Sequence, residues 1–392
     1  MAHNEFASAV ITETDWQADL DNQCQQLSTQ LTGRINLVVV FASGHFQSEL
    51  EEIVQNIQTQ LAPQHMIGGT GESIVADETE LEDTPAISIW CASIPDTQIS
   101  SMRLTFERTP DGGTFIGWPD EWSADSDSFI DEQSIMLLVG EPFSFPADGL
   151  LNRLEEDYPR LQAVGGMASG FHSPGENRII VNSEVYNNGA AVVVLQGGVR
   201  MRTIVSQGCR PIGERYVITA AEGNMITGLR GKPALEVLRR IYDDLPTTEQ
   251  SAMQNGFHIG RVVSEYQDDY QMGDFLIRNV VGVDPEQKAV VVADFLRVGQ
   301  TVQFHIRDQE SASIELKQLL SQVEAPCAAA LLFTCNGRGT RLFEVESHDA
   351  SALTNQFGNI PVTGLFAQGE IGPVGGKNFL HGFTASIIVF ES

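Results

Sequence analysis

One supersecondary pattern is written three times in this chain, and that constrains its fold more than any other feature. A repeat unit that cannot bury its own apolar face must pack against its siblings. The first copy opens on the apolar run 35–41 (INLVVVF), which reads as a buried strand. A helix is expected over 47–61, where Leu50, Ile53, Val54, Ile57 and Leu61 recur at helical spacing. A glycine step follows, Ile67-Gly68-Gly69-Thr70-Gly71-Glu72, and a strand over 86–90 closes the copy. The second copy has a strand over 134–139, a helix over 149–158, the step Val164-Gly165-Gly166-Met167 and a closing strand over 190–195. The third runs from 329–333 through a helix over 349–357 and the step Val362-Thr363-Gly364-Leu365 to a strand over 384–390. In each copy the first strand and the glycine step lie roughly thirty residues apart, a repeat of supersecondary size.

A strand–helix–strand unit sets its helix on one sheet face. Val- and Ile-rich closing strands suit a sheet covered on both sides. The expected class is therefore α/β, with α+β character in places: repeated units forming helix-covered sheets, packed as a layered αββα-like sandwich of two halves. Between the second and third copies the pattern changes. Gly231-Lys232-Pro233-Ala234 leads into an amphipathic helix over 235–245, strands over 275–281, 289–295 and 300–306, and a helix over 312–323. The polar, acidic stretch Pro110–Gln133 reads as a surface loop or insertion.

Charge excludes some functions. The chain holds 23 Lys and Arg against 52 Asp and Glu, a net charge of −29, with no basic run to offset it. Phosphate backbones and anionic membranes need clustered cations, so neither nucleic acid nor membrane is an expected partner. Cys24, Cys91, Cys209, Cys327 and Cys335 are scattered, without a CxxC pair, as in a protein of a reducing compartment. The N-terminus lacks a signal-peptide pattern and no apolar run could span a bilayer, so a cytoplasmic location is expected. The P-loop, dinucleotide-fold, HExxH and GxSxG patterns are absent, and no cofactor or metal is expected.

One segment stands out chemically. Cys335-Asn336-Gly337-Arg338-Gly339 follows an apolar strand end, with Arg341 close behind. Glycines there would let successive backbone N–H groups converge on an anion, and a guanidinium matches a carboxylate with two parallel hydrogen bonds. The same positive setting would lower a thiol pKa. The competing reading is a tight turn with a buried cysteine. Glu370 follows Gly369 as Glu72 follows Gly71 in the first copy, and could hold a ligand ammonium or serve the shared turn. His381, just before the last strand, could meet these loops. Arg278 interrupts an apolar strand and needs an anion, from the protein or from a ligand. The candidate binding set is thus Cys335, Asn336, Gly337, Arg338, Gly339, Gly369, Glu370, His381 and Arg278, with no residue assigned a catalytic role.

Several segments together resemble the FIST family (F-box and intracellular signal transduction domains). They are Gln207-Gly208-Cys209-Arg210-Pro211-Ile212-Gly213, 217–224 (VITAAEGN), Gly231-Lys232-Pro233-Ala234, Cys335–Gly339, Gly369-Glu370-Ile371-Gly372-Pro373 and His381-Gly382-Phe383-Thr384. The resemblance implies a helical extension over 1–34, a FIST N-like domain over 35–222 and a FIST C-like domain over 223–392. It also implies a sensory role for small ligands, amino acids or related carboxylated metabolites, with the signal passing to a separate protein partner. A cysteine-dependent hydrolase or amidase using Cys335, and a scaffold without a ligand, stand as alternatives.

Overall fold

The computed structural model describes residues 3–110, 112–118, 133–254, 256–266, 270 and 273–392. The greater part of the expected loop over 110–133 lies outside these residues. Its described part includes a short strand, Thr114–Ile116.

Each repeat builds the middle of one mixed sheet. In the first sheet Leu37–Ser43 pairs in parallel with His65–Gly71 and antiparallel with Ile87–Ser93. The same three roles fall to Ile135–Gly140, Gln162–Met167 and Ala190–Gln196 in the second sheet. In the third they fall to Cys327–Cys335, Val362–Ala367 and Ala385–Glu391. The first and glycine strands are buried along almost their whole length because both sheet faces are covered.

The glycine step is the joint of every copy. Gly68 faces Val40, Gly165 faces Leu138 and Gly364 faces Leu332 across the parallel pair. A Cβ on these glycines would lie 1.8 Å, 1.9 Å and 1.8 Å from the facing carbonyl oxygen. No side chain fits in such a gap.

Beyond the glycine strand each copy sends a hairpin to another copy's sheet. Ile74–Ala76 with Thr79–Leu81, from the first copy, extends the third sheet beside Val362–Ala367. Ile179–Val181 with Glu184–Tyr186, from the second, extends the first sheet beside His65–Gly71. Glu370–Val374 with Lys377–His381, from the third, extends the second beside Gln162–Met167. The exchange closes in a ring of three. On the other side of each closing strand lies the strand that precedes that copy in the chain: Glu5–Ile11, Gln98–Glu107 and Met201–Ser206, the second of them flanked in turn by Thr114–Ile116. The N-terminal extension thus supplies an edge strand as well as the expected helix, here Trp16–Gln30.

The three sheets surround one apolar core, to which Leu37, Leu137 and Leu331 contribute from equivalent strands. Phe41 and Phe333, also equivalent, meet edge-on with centroids 5.8 Å apart. Helices cover the outer faces: Trp16–Gln30 and Leu50–Leu61 on the first sheet, and Ala147–Asp157 on the second. His348–Phe357 packs against the first strand of the third. Among the described residues no helix is long and apolar enough to cross a membrane.

The α/β class with helix-covered sheets is what the chain adopts, but the compact units do not follow the two sequence halves. Residues 1–205 with 319–392 form one unit, and 206–318 form the other. The second unit is an insertion within the third copy, between its edge strand and its first strand. Its antiparallel strands close into a ring, because the long strand Cys209–Glu222 pairs with Thr301–Arg307 through one half and with Met225–Leu229 through the other. Phe257–Val262, Phe275–Asp284 and Ala289–Val292 complete the circuit. The helix Ala234–Asp244 packs its apolar side, Leu235, Leu238 and Ile241 included, into this unit's core.

Gly68→Ala and Gly364→Ala should each destabilise the chain by about 2 kcal/mol or more, since overpacking against fixed backbone cannot relax. Gly382→Ala, with nothing within 4 Å of the added carbon, should change stability by less than about 0.5 kcal/mol. Urea unfolding of the three variants checks the contrast, and equal stabilities would refute the role given to the joint.

Candidate functional site

The turn that follows Cys327–Cys335 is held by charges from the first copy's hairpin and the residues around it. Arg338 is fully buried and bidentate to Asp349, Nε to Oδ2 at 2.7 Å and Nη2 to Oδ1 at 2.8 Å. Thr334 donates its hydroxyl to the same carboxylate at 2.7 Å, and His348 Nδ1 lies 2.8 Å from Oδ1. Thr340 donates its amide and hydroxyl to Glu82 at 2.9 Å and 2.7 Å, and Arg341 pairs with Glu72. The anions that this glycine–arginine segment attracts are the protein's own carboxylates. Gly337 is required for packing, because a Cβ there would stand 2.4 Å from the Phe383 ring.

Glu80, on the hairpin from the first copy, caps the helix His348–Phe357. Its Oε1 accepts the amides of Asp349 and Ala350 at 2.8 Å and 2.9 Å, while Ser347 Oγ accepts the Glu80 amide at 3.0 Å. This is a reciprocal cap made between distant segments. Burial, together with the Asp349 charge, pushes the Glu80 carboxyl up to about 8. Burial alone would also raise Asp349, but the Arg338 charge and hydrogen bonds hold it well below the usual carboxylate range. Removing one partner of such a buried pair costs about 3–5 kcal/mol.

Cys335, Glu370 and His381 are brought near one another, in an order that does not suit a nucleophile. Burial and then the Glu370 charge push the Cys335 thiol up to about 12, and Glu370 is also its hydrogen-bond partner. Glu370 Oε2 accepts the Thr384 amide at 2.9 Å. His381 stands opposite Glu370 across their hairpin, with Nε2 2.9 Å from the Gly372 carbonyl oxygen. A thiol beside a carboxylate is kept protonated, the reverse of thiolate–imidazolium chemistry. The structure also corrects the match of Glu370 to Glu72. Glu370 faces Gly166, and the residues at that place in the other hairpins are Ile74 facing Leu365 and Ile179 facing Gly69. The residues equivalent to Cys335 are Ser43 and Glu141, whose amides bond the carbonyls of Ala86 and Gly189 as that of Cys335 bonds Thr384. Copy three therefore departs from its siblings at Glu370 and again at Cys335. Arg278 belongs to the inserted unit, where it and Arg261 share Asp294 at 3.5 Å and 3.3 Å.

Residues 207–211 of the inserted unit build a second site, which the sequence marked only through its resemblance. Gln207 acts as a strand partner, its amide donating to Phe275 O at 2.7 Å and accepting from Ile277 N at 2.9 Å. Gly208 takes a left-handed φ of 64° and donates its amide to Glu315. Cys209 Sγ accepts from Arg307 at 3.3 Å. Arg210 is fixed between Asp308 at 3.1 Å and Glu249 at 3.2 Å. Gln207, Cys209 and Pro211 border a cavity of about 130 Å³ whose lining also includes Tyr270, Phe275, His305 and Glu315.

The family model for the FIST N domain matches residues 36–232, and that for the FIST C domain matches 234–373. The chain belongs to the FIST family. FIST domains are associated with signal transduction and sensing. Among relatives, an uncharacterized protein of Mycobacterium tuberculosis is 39% identical over 358 residues, covering 90% of this chain and 91% of its own length. An uncharacterized protein of Mycobacterium bovis is 36% identical over 370 residues, 93% of each chain. The N-terminal FIST match supplies the first two copies, and the C-terminal match spans most of the inserted unit and the third copy up to Pro373.

Two outcomes follow from these geometries. A folded-state value near 8 against 4.5 for an ordinary carboxyl means that folded Glu80 keeps a proton that the unfolded chain has released in between. Its contribution to stability is full below pH 4.5 and is lost as pH rises toward 8. Glu80→Gln keeps the accepting oxygen and removes the titration, so the fall in melting temperature across this window should flatten, and an unchanged slope would contradict the assignment. For Cys335, labelling of the folded chain with iodoacetamide at neutral pH should be slow. Mass mapping that finds Cys335 alkylated as fast as an exposed free thiol in a peptide would overturn the raised pKa.

Proposed function

We propose that this FIST protein is a small-molecule sensor whose ligand, an amino acid or a related metabolite, enters the cavity at Gln207–Pro211 and whose signal passes to a separate protein. The observation that carries this reading is the chemistry of the cavity. Arg338, Thr340 and Arg341 of the third copy are taken up by Asp349, Glu82 and Glu72, whereas the segment 207–211 borders a hollow. Its wall combines aromatic faces with a few buried polar groups, the usual composition of a small-ligand pocket. A carboxylate, a neutral imidazole, a thiol and a phenol there can fix orientation, and the apolar remainder supplies binding free energy. The cavity lies within an insertion of the repeat frame, so it can vary without disturbing the three-sheet core. The hydrolase alternative loses its chemical footing with the raised thiol of Cys335.

A thermal-shift screen of metabolites on the full chain tests the proposal. A true ligand at a hundredfold excess over its Kd stabilises by about 2.7 kcal/mol. Tyr270→Ala should weaken that ligand roughly tenfold, the effect of about 1.4 kcal/mol of lost contact. A compound that is consumed would point to an enzyme. A flat screen together with a stable protein partner would point to a scaffold, and either result would sink the sensor reading.

A further inference from the structure

The wall of the cavity also selects among ligand chemistries, an inference that rests on the cavity being the binding site. Glu315 is 2% exposed, and its Oε2 accepts the Ser206 hydroxyl at 2.9 Å and the Gly208 amide. His305 is neutral, because burial pushes its pKa down to about 4. Its Nδ1 lies 3.0 Å from the Gln303 carbonyl oxygen, which can only accept, so Nδ1 carries the proton and Nε2 keeps its lone pair. Gln303 donates its own amide nitrogen to the Gly213 carbonyl at 3.0 Å, which leaves the amide oxygen as its accepting end. The aromatic part of the wall is Phe275, its ring tilted against those of His305 and Tyr270 with centroids 5.3 Å and 5.8 Å away.

No lysine or arginine is among the described lining residues. Arg307, a neighbour of the site, donates to Cys209 Sγ at 3.3 Å, to the Gln207 carbonyl at 3.5 Å and to His258 Nε2 at 3.0 Å. The Arg215 guanidinium rests 5.3 Å from the centre of the Tyr270 ring. We infer that the cavity recognises a protonated amine, whose N–H donors meet the acceptors of Glu315, His305 and Gln303 while its hydrocarbon packs on Tyr270 and Phe275. A carboxylate end would face Glu315 at close range and is disfavoured by like-charge repulsion. An amino acid would then be read through its ammonium group.

Three isosteres differing only in head group test this on the full chain: butylamine, butyrate and butyramide, compared by melting temperature and calorimetric titration at equal ionic strength. Butylamine should bind at least tenfold more tightly than the other two, and Tyr270→Ala should weaken it about tenfold. Glu315→Gln should remove the preference for butylamine over butyramide. If that variant fails to fold, the isostere comparison and Tyr270→Ala still decide. Butyrate or butyramide binding as tightly as butylamine, with loss in Tyr270→Ala, would overturn the amine class and leave the sensor reading intact. Butylamine binding that Tyr270→Ala leaves unchanged would overturn the location. Silence from all three probes overturns the inference, and only silence from the wider metabolite screen as well removes the sensor reading.

Discussion

The carbonyl oxygens of Val40, Leu138 and Leu332 each occupy the place where the facing residue would carry its Cβ, and much of the three-sheet unit follows from that contact. Glycine there lets the two parallel strands of a copy close on each other as the second strand leaves for a neighbouring sheet. A side chain would hold the strands apart and misdirect the hairpin beyond. All three copies make the same contact, and the three hairpins are handed on in one cyclic sense. A closed arrangement of this kind also suits the apolar inner faces, none of which could be buried by a single copy.

Handing a hairpin to another sheet brings its polar residues into foreign surroundings. The first copy carries Glu80 and Glu82 into the third, where they meet the start of a helix and a glycine-rich turn. There the acidity of the chain is used for structure: Glu80 caps a helix, Glu82 ties Thr340, Glu72 pairs with Arg341, and Asp349 neutralises Arg338. The ion pair Arg338–Asp349 is fully buried and contributes little net stability against an apolar substitute of the same shape. A shifted register would leave a guanidinium or a carboxylate alone in the core. The raised Glu80 carboxyl is the cost of burying a second acid beside that pair.

The inserted unit solves a different problem. Its ring of antiparallel strands removes sheet edges and leaves one wall free to be shaped by the motif Gln207–Pro211. Gln207 substitutes for a missing strand, Gly208 turns the chain, and Arg210 anchors it to Asp308 and Glu249. The motif is thus fixed from several sides beside a hollow. The repeats build a core, and the insertion borders a hollow of its own.

The sequence by itself determined the local elements. Helical spacing in Leu50–Leu61 and the apolar runs of the first and closing strands were legible because periodicity reports which face of a segment is buried. The recurrent glycines and the family resemblance were legible for the same reason, each being a pattern of near neighbours. The edge strands and the exchanged hairpins were not, since Ile74–Ala76 and Glu370–Val374 are too short to show a period and their partners lie in other copies. Nor could the sequence say that Arg338 would turn inward to Asp349, that Glu370 would stand where its siblings have isoleucine, or that residues 206–318 would form a separate unit. Those outcomes depend on strand register and on which charges become neighbours, and only the tertiary structure decides them, because long-range pairing is chosen by the burial of the whole core rather than by any one segment.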